Sequence, residues 1–78
     1  MNIHLNFTNK HGREETRVAN LPAIPEVGAV ISEYASRPGR GNPVSPALQL
    51  RVTSGPDFNV IGGWFRNTVD VHVRCELA

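Results

Sequence analysis

The chain has 78 residues, with eight Lys or Arg against seven Asp or Glu and a formal charge of +1. That length is room for one domain, residues 1–78, near the lower end of sizes that fold alone, and a balance this close to neutral carries no long-range field to draw in nucleic acid or an anionic membrane. The single cysteine, Cys75, excludes an internal disulfide, and no Cys/His cluster has the spacing of a structural zinc site.

Ile3, Leu5 and Phe7 alternate with Asn2, His4, Asn6 and Thr8, the period of a strand with one buried face. Asn9 to Arg13, NKHGR, holds Asn and Gly where a tight reversal needs positive φ. EETRVANL then returns with Thr16 and Val18 on one face, so residues 2–20 are read as a β-hairpin. Leu21 to Glu26, LPAIPE, has two prolines and is neither a central strand nor a helix interior. VGAVISEYA is read as a strand from β-branched Val27, Val30 and Ile31 and aromatic Tyr34.

Ser36 to Ala47, SRPGRGNPVSPA, is long for a link between adjacent strands. Pro38, Pro43 and Pro46 stiffen it, and Arg37 and Arg40 bracket the turn-forming Pro38-Gly39, giving a semi-rigid basic projection. LQLRVT sets Leu48, Leu50 and Val52 on one face against Gln49, Arg51 and Thr53 on the other. Ser54 to Asp57, SGPD, reads as a turn by composition. FNVIGGWFR reads as a strand interrupted at Gly62-Gly63 by a bulge or bend. In TVDVHVRCEL, Val69, Val71, Val73, Cys75 and Leu77 face one way and Asp70, His72, Arg74 and Glu76 the other. Asn67-Thr68 is the short link that makes this segment a hairpin with the Trp64 strand.

No stretch joins helical spacing to a cap. The expected fold is therefore all-β without substantial helix: a small antiparallel β-barrel of about five to six strands. A bend at Gly62-Gly63 would help the sheet fold over itself.

In their order, PEVGAVISEY, LQLRVTSG, FNVIGGWF and VDVHVRCEL resemble the strands of small SH3-like β-barrels, over about residues 22–77. The same outline is similar to orphan proteins of phages and mobile gene cassettes, and the likeness carries no functional residues across. Plasmid-borne type II dihydrofolate reductases resemble this chain in length and in their expected barrel, and build their active site at the centre of a tetramer. Their VQIY-type strand has its nearest counterpart in VDVHV, Val69 to Val73, which lacks the Gln-Ile-Tyr series, so that activity is not carried over. What the resemblance implies is that such a barrel gains a site by oligomerising.

A core of this size supplies roughly 3–5 kcal/mol, and small scaffolds commonly add disulfides, metal or oligomerisation. Composition leaves self-association open. Trp64 and Phe65 are adjacent, so on a strand they point to opposite faces and one large aromatic is left near the surface; Ile61, on the face of Phe65, would enlarge an apolar patch there. The leading expectation is a non-enzymatic interaction module that forms a homodimer or higher oligomer, with Ile61, Trp64, Phe65, His72 and Arg74 at the interface. The alternative is a nucleic-acid binder using Tyr34, Arg37, Arg40 and Arg51, and a third is a small-molecule site between subunits.

Cys75 alternates with the core valines and lies opposite His72, which argues against a Cys–His catalytic pair. His4 and His72 would meet if the terminal strands pair, but two histidines are half a metal site and no pair of carboxylates is spaced to complete it. No cofactor is expected. MNIHLNFTNKHG is not a signal peptide and no apolar run approaches the ~20 residues that span a bilayer. With an unpaired cysteine, these features predict a cytoplasmic protein without membrane partners.

Overall fold

In the computed structural model of the chain, residues 1–34, 46–64 and 67–78 are described. They form five strands: β1 (Asn2–Thr8), β2 (Glu14–Asn20), β3 (Val30–Glu33), β4 (Leu48–Gly62) and β5 (Asn67–Leu77). No helix occurs among the described residues, as the sequence predicts. The expected first hairpin is present: β1 pairs antiparallel with β2 from Asn2↔Asn20 to Thr8↔Glu14. Its turn is tied by Asn9, whose Oδ1 accepts from the backbone N–H groups of His11 and Arg13, and Gly12 takes φ +77°.

The strands make one sheet in the order β2-β1-β5-β4-β3, curled into a half-barrel. Neighbouring strands lie about 4.8 Å apart, so the edges of a flat five-stranded sheet would stand ~19 Å from each other. Here Arg17 on one edge strand and Glu33 on the other approach to 3.8 Å. The curl leaves a cleft of about 570 Å³ between β2 and β3, floored by Leu5 and Leu50.

The sheet is mixed, which corrects the expectation of a purely antiparallel barrel. β1 and β5 pair in parallel, from Ile3↔Val71 to Asn6↔Arg74, while the other three pairings are antiparallel. The cause is strand parity. When each of five strands reverses on the one before, the first and last run the same way, and their pairing must be parallel. An antiparallel closure needs an even number of strands.

Period-two alternation fills the concave side. Ile3, Leu5 and Phe7 of β1, Leu50 and Val52 of β4, and Val71, Val73 and Cys75 of β5 form the buried core. The segment between β2 and β3 runs across this side, with Leu21, Ile24 and Ala29 packed on the core. It is pinned where Gly28 N–H donates to Val52 O at 2.8 Å and Val52 N–H donates to Ala29 O at 2.9 Å.

SGPD is not a turn. β4 runs straight through it, with register shifts between Val52 and Ser54 and between Ser54 and Asp57. Turn-forming residues serve here as a bulge, because the extra residues are absorbed within the strand and need not reverse it. Gly55, at φ +112°, lies so close to β5 that a Cβ would sit 3.2 Å from both His72 O and Val73 Cα. Gly62 ends the strand, so the Gly62-Gly63 pair belongs to the hairpin tip rather than to a bend inside the sheet. Asn67-Thr68, expected as the link, already belongs to β5.

Candidate functional site

Beyond the bulge, β4 and β5 continue as a two-stranded arm, paired from Asp57↔His72 to Gly62↔Asn67. Six residue pairs at strand rise give the arm about 20 Å, and the molecule measures 50 × 28 × 22 Å. Because Phe58 opposes Val71 and Val60 opposes Val69, these side chains continue the row that faces the core. The core stops at Val71, however, and the row does not. Phe58, Val60 and Val69 are 56 %, 65 % and 53 % exposed. Ile61 lies on the other face of the arm, and Trp64, at its tip, is 98 % exposed. Five of the large exposed apolar side chains among the described residues thus gather on one projecting element.

Of the apolar residues expected at the surface, Ile61 and Trp64 are both exposed, and Phe65, with which Ile61 was expected to share a face, lies outside the described residues. Phe58, Val60 and Val69 were missed. Their alternation is legible in FNVIGG and TVDV, but alternation does not reveal where a core ends along a strand.

His72 and Arg74, the other expected interface residues, are engaged within the chain on the convex face. Arg74 reaches across β1 to Glu14, and its Nη2 donates to Glu14 Oε1 at 3.1 Å and to Thr8 Oγ1 at 2.8 Å. The Thr8 hydroxyl donates to Glu14 Oε1 at 2.6 Å. The Arg74 hydrogen bond, helped by that of Thr8, holds the Glu14 carboxyl down at about 2, and the same pairing raises Arg74. Arg51 is paired with Glu76 at 3.4 Å, so this charge is balanced locally. Tyr34 is exposed at the end of the described β3 segment; Arg37, Arg40 and most of the basic projection lie outside the described residues.

Cys75 is buried on the concave side, where burial pushes its thiol up. His72 is on the convex side, so the two are not brought together. His4 and His72 are brought together: the parallel pairing makes them cross-strand partners, with ring centroids 4.4 Å apart and planes within 18°. Asp70, two residues before His72 on the same face of β5, approaches His4 Nε2 to 3.9 Å through its Oδ1. His72 Nδ1 lies 3.0 Å from the Asn6 carboxamide nitrogen, and Thr16 donates its hydroxyl to Asn6 Oδ1 at 2.6 Å.

Fold and surface together define a class: a mixed five-stranded half-barrel carrying an apolar β-arm. In comparisons with family models, with curated proteins and with solved structures, nothing matches the chain.

Proposed function

We propose that this protein is a non-enzymatic interaction module that self-associates through its β4–β5 arm, the apolar row of one arm packing against a second copy. The observation that carries the reading is the continuation of the core-facing row past the end of the core, at Phe58, Val60 and Val69, each more than half exposed. A contiguous apolar surface of this kind marks an interaction site more often than incidental exposure. Aromatic anchors such as Phe58 and Trp64 suit the centre of an interface. The small core gives a second reason, since a second copy adds the burial that a chain of this length lacks.

A half-barrel completed by its neighbour is also where the resemblance to small SH3-like barrels belongs, and where a small-molecule site between subunits would form. The buried, unpaired Cys75 suits the reducing cytosol. Nucleic-acid binding is the competing reading. It draws less support, because Arg51 and Arg74 each face a carboxylate of this chain. Light scattering across micromolar concentrations tests the proposal: a mass of two or more chains is expected, and a single-chain mass throughout rejects it. Salt-sensitive capture of a single-stranded oligonucleotide by that single chain would favour the competitor instead.

A further inference from the structure

We infer that His4, Asp70 and His72 form a binding site for a first-row divalent transition ion, with zinc as the reference ligand. Each offers one ligand atom, and these atoms all lie within 4.8 Å of one another. The three come from two strands. The parallel register sets His4 opposite His72, and the strand period sets Asp70 on the same face as His72.

A tetrahedral zinc ion with bonds of 2.0–2.2 Å holds its ligand atoms about 3.3 Å apart. The 3.9 Å between His4 Nε2 and Asp70 Oδ1 is already near that spacing. Closing the remainder asks the two stacked rings to splay by side-chain rotation, with no movement of the backbone pairing. Two imidazoles and one carboxylate suit zinc, iron, nickel or copper, and calcium and magnesium prefer all-oxygen sets. Three protein ligands leave a fourth position open to water.

A neighbouring side chain, Asn6, stands where it can orient the His72 ring. A metal-bound histidine usually donates its other ring N–H to a fixed acceptor. Asn6 stands 3.0 Å from His72 Nδ1, and its two amide ends are exchangeable by a flip. With Oδ1 turned to the ring, Asn6 accepts from Nδ1–H and frees Nε2 for the ion. The Thr16 hydroxyl, now donating to Asn6 at 2.6 Å, then accepts from the amide nitrogen instead. The site lies on the convex face, while the arm's apolar row continues the concave one, so it does not depend on self-association. An ion there ties the first strand to the last across their parallel pairing.

The test is isothermal titration of zinc sulfate into tag-free, chelator-stripped protein, paired with thermal unfolding. The expected result is one zinc per chain and a raised unfolding midpoint, as binding to the folded state alone requires. His4→Ala and His72→Ala abolish both effects, Asn6→Ala weakens binding by about tenfold, and His11→Ala, in the first turn, changes nothing. Asp70→Asn keeps side-chain size and still removes the anionic ligand, so it carries the test if a histidine variant does not fold. Absence of zinc binding by the wild-type chain overturns the assignment. So does binding that survives in folded His4→Ala, His72→Ala and Asp70→Asn proteins.

Discussion

Replacing Gly55 by alanine measures how tightly the bulge is pressed against β5. Two costs apply. At φ +112° an L-residue is strained by about 1–3 kcal/mol. In addition, the new Cβ would meet two backbone atoms, His72 O and Val73 Cα, at 3.2 Å. Backbone cannot swing aside as a side chain does, and overpacking of this sort typically costs about 1–3 kcal/mol. Together they remove at least about 2 kcal/mol, a large share of the roughly 3–5 kcal/mol available to so small a core. The assay is urea unfolding followed by circular dichroism. With a slope of about 1 kcal/mol/M for a small chain, the midpoint should fall by about 2 M or more. Gly12→Ala is the internal control: it also has positive φ, but nothing lies within 4 Å of its Cβ position. The difference between the two variants reports the close approach to β5 together with the greater strain at φ +112° than at φ +77°. Equal losses at Gly55 and Gly12 would refute the bulge packing, and an unchanged midpoint for Gly55→Ala would refute both terms.

Two further outcomes follow from the same geometry. Phe7 is buried and Phe58 is mostly exposed, so Phe7→Ala should cost about 3–5 kcal/mol and unfold the chain; in dilute protein Phe58→Ser should stay within about 0.5 kcal/mol of wild type. Near-equal losses in denaturant titrations would mean that the core and arm are wrongly divided. Glu14 has its folded pKa depressed to about 2, below an ordinary value of 4.5. Its pairing with Arg74 therefore contributes stability above the ordinary value, and loses it as pH falls from about 4.5 toward about 2. The stability gap between wild type and Glu14→Gln should be level at neutral pH and shrink through that window. A gap that does not change with pH contradicts the pairing.

Local pattern carried much of this fold. The alternation of Ile3, Leu5 and Phe7 and of Val71, Val73 and Cys75 identified most of the core, because a half-buried strand imposes period two on its own sequence. The Asn9–Gly12 reversal was legible for the same local reason. SGPD was not, since a bulge and a turn draw on the same residues and composition cannot separate them. Nor was the parallel pairing of β1 with β5, which follows from how many strands lie between. That one non-local fact also hid the carboxylate of the histidine cluster. Asp70 shares the face of His72 by strand period, but its closeness to His4 exists only in this register. The arm was half legible: Trp64 and Ile61 stood out as surplus apolar residues, while nothing local in the sequence sets Phe58, Val60 and Val69 beyond the end of the core.

Sedimentation velocity of the wild-type chain beside Phe58→Ser tests the central claim most directly. A buried Phe covers about 200 Å², so 56 % exposure leaves about 110 Å² to be covered by a partner. At about 25 cal/mol per Å² that is about 2–3 kcal/mol per chain. In a symmetric dimer it counts twice, a weakening on the order of a thousandfold or more. Wild type sedimenting as a dimer or larger, with Phe58→Ser folded and shifted to a single chain, is the predicted result. The same sedimenting mass for both proteins, whether one chain or several, would contradict it.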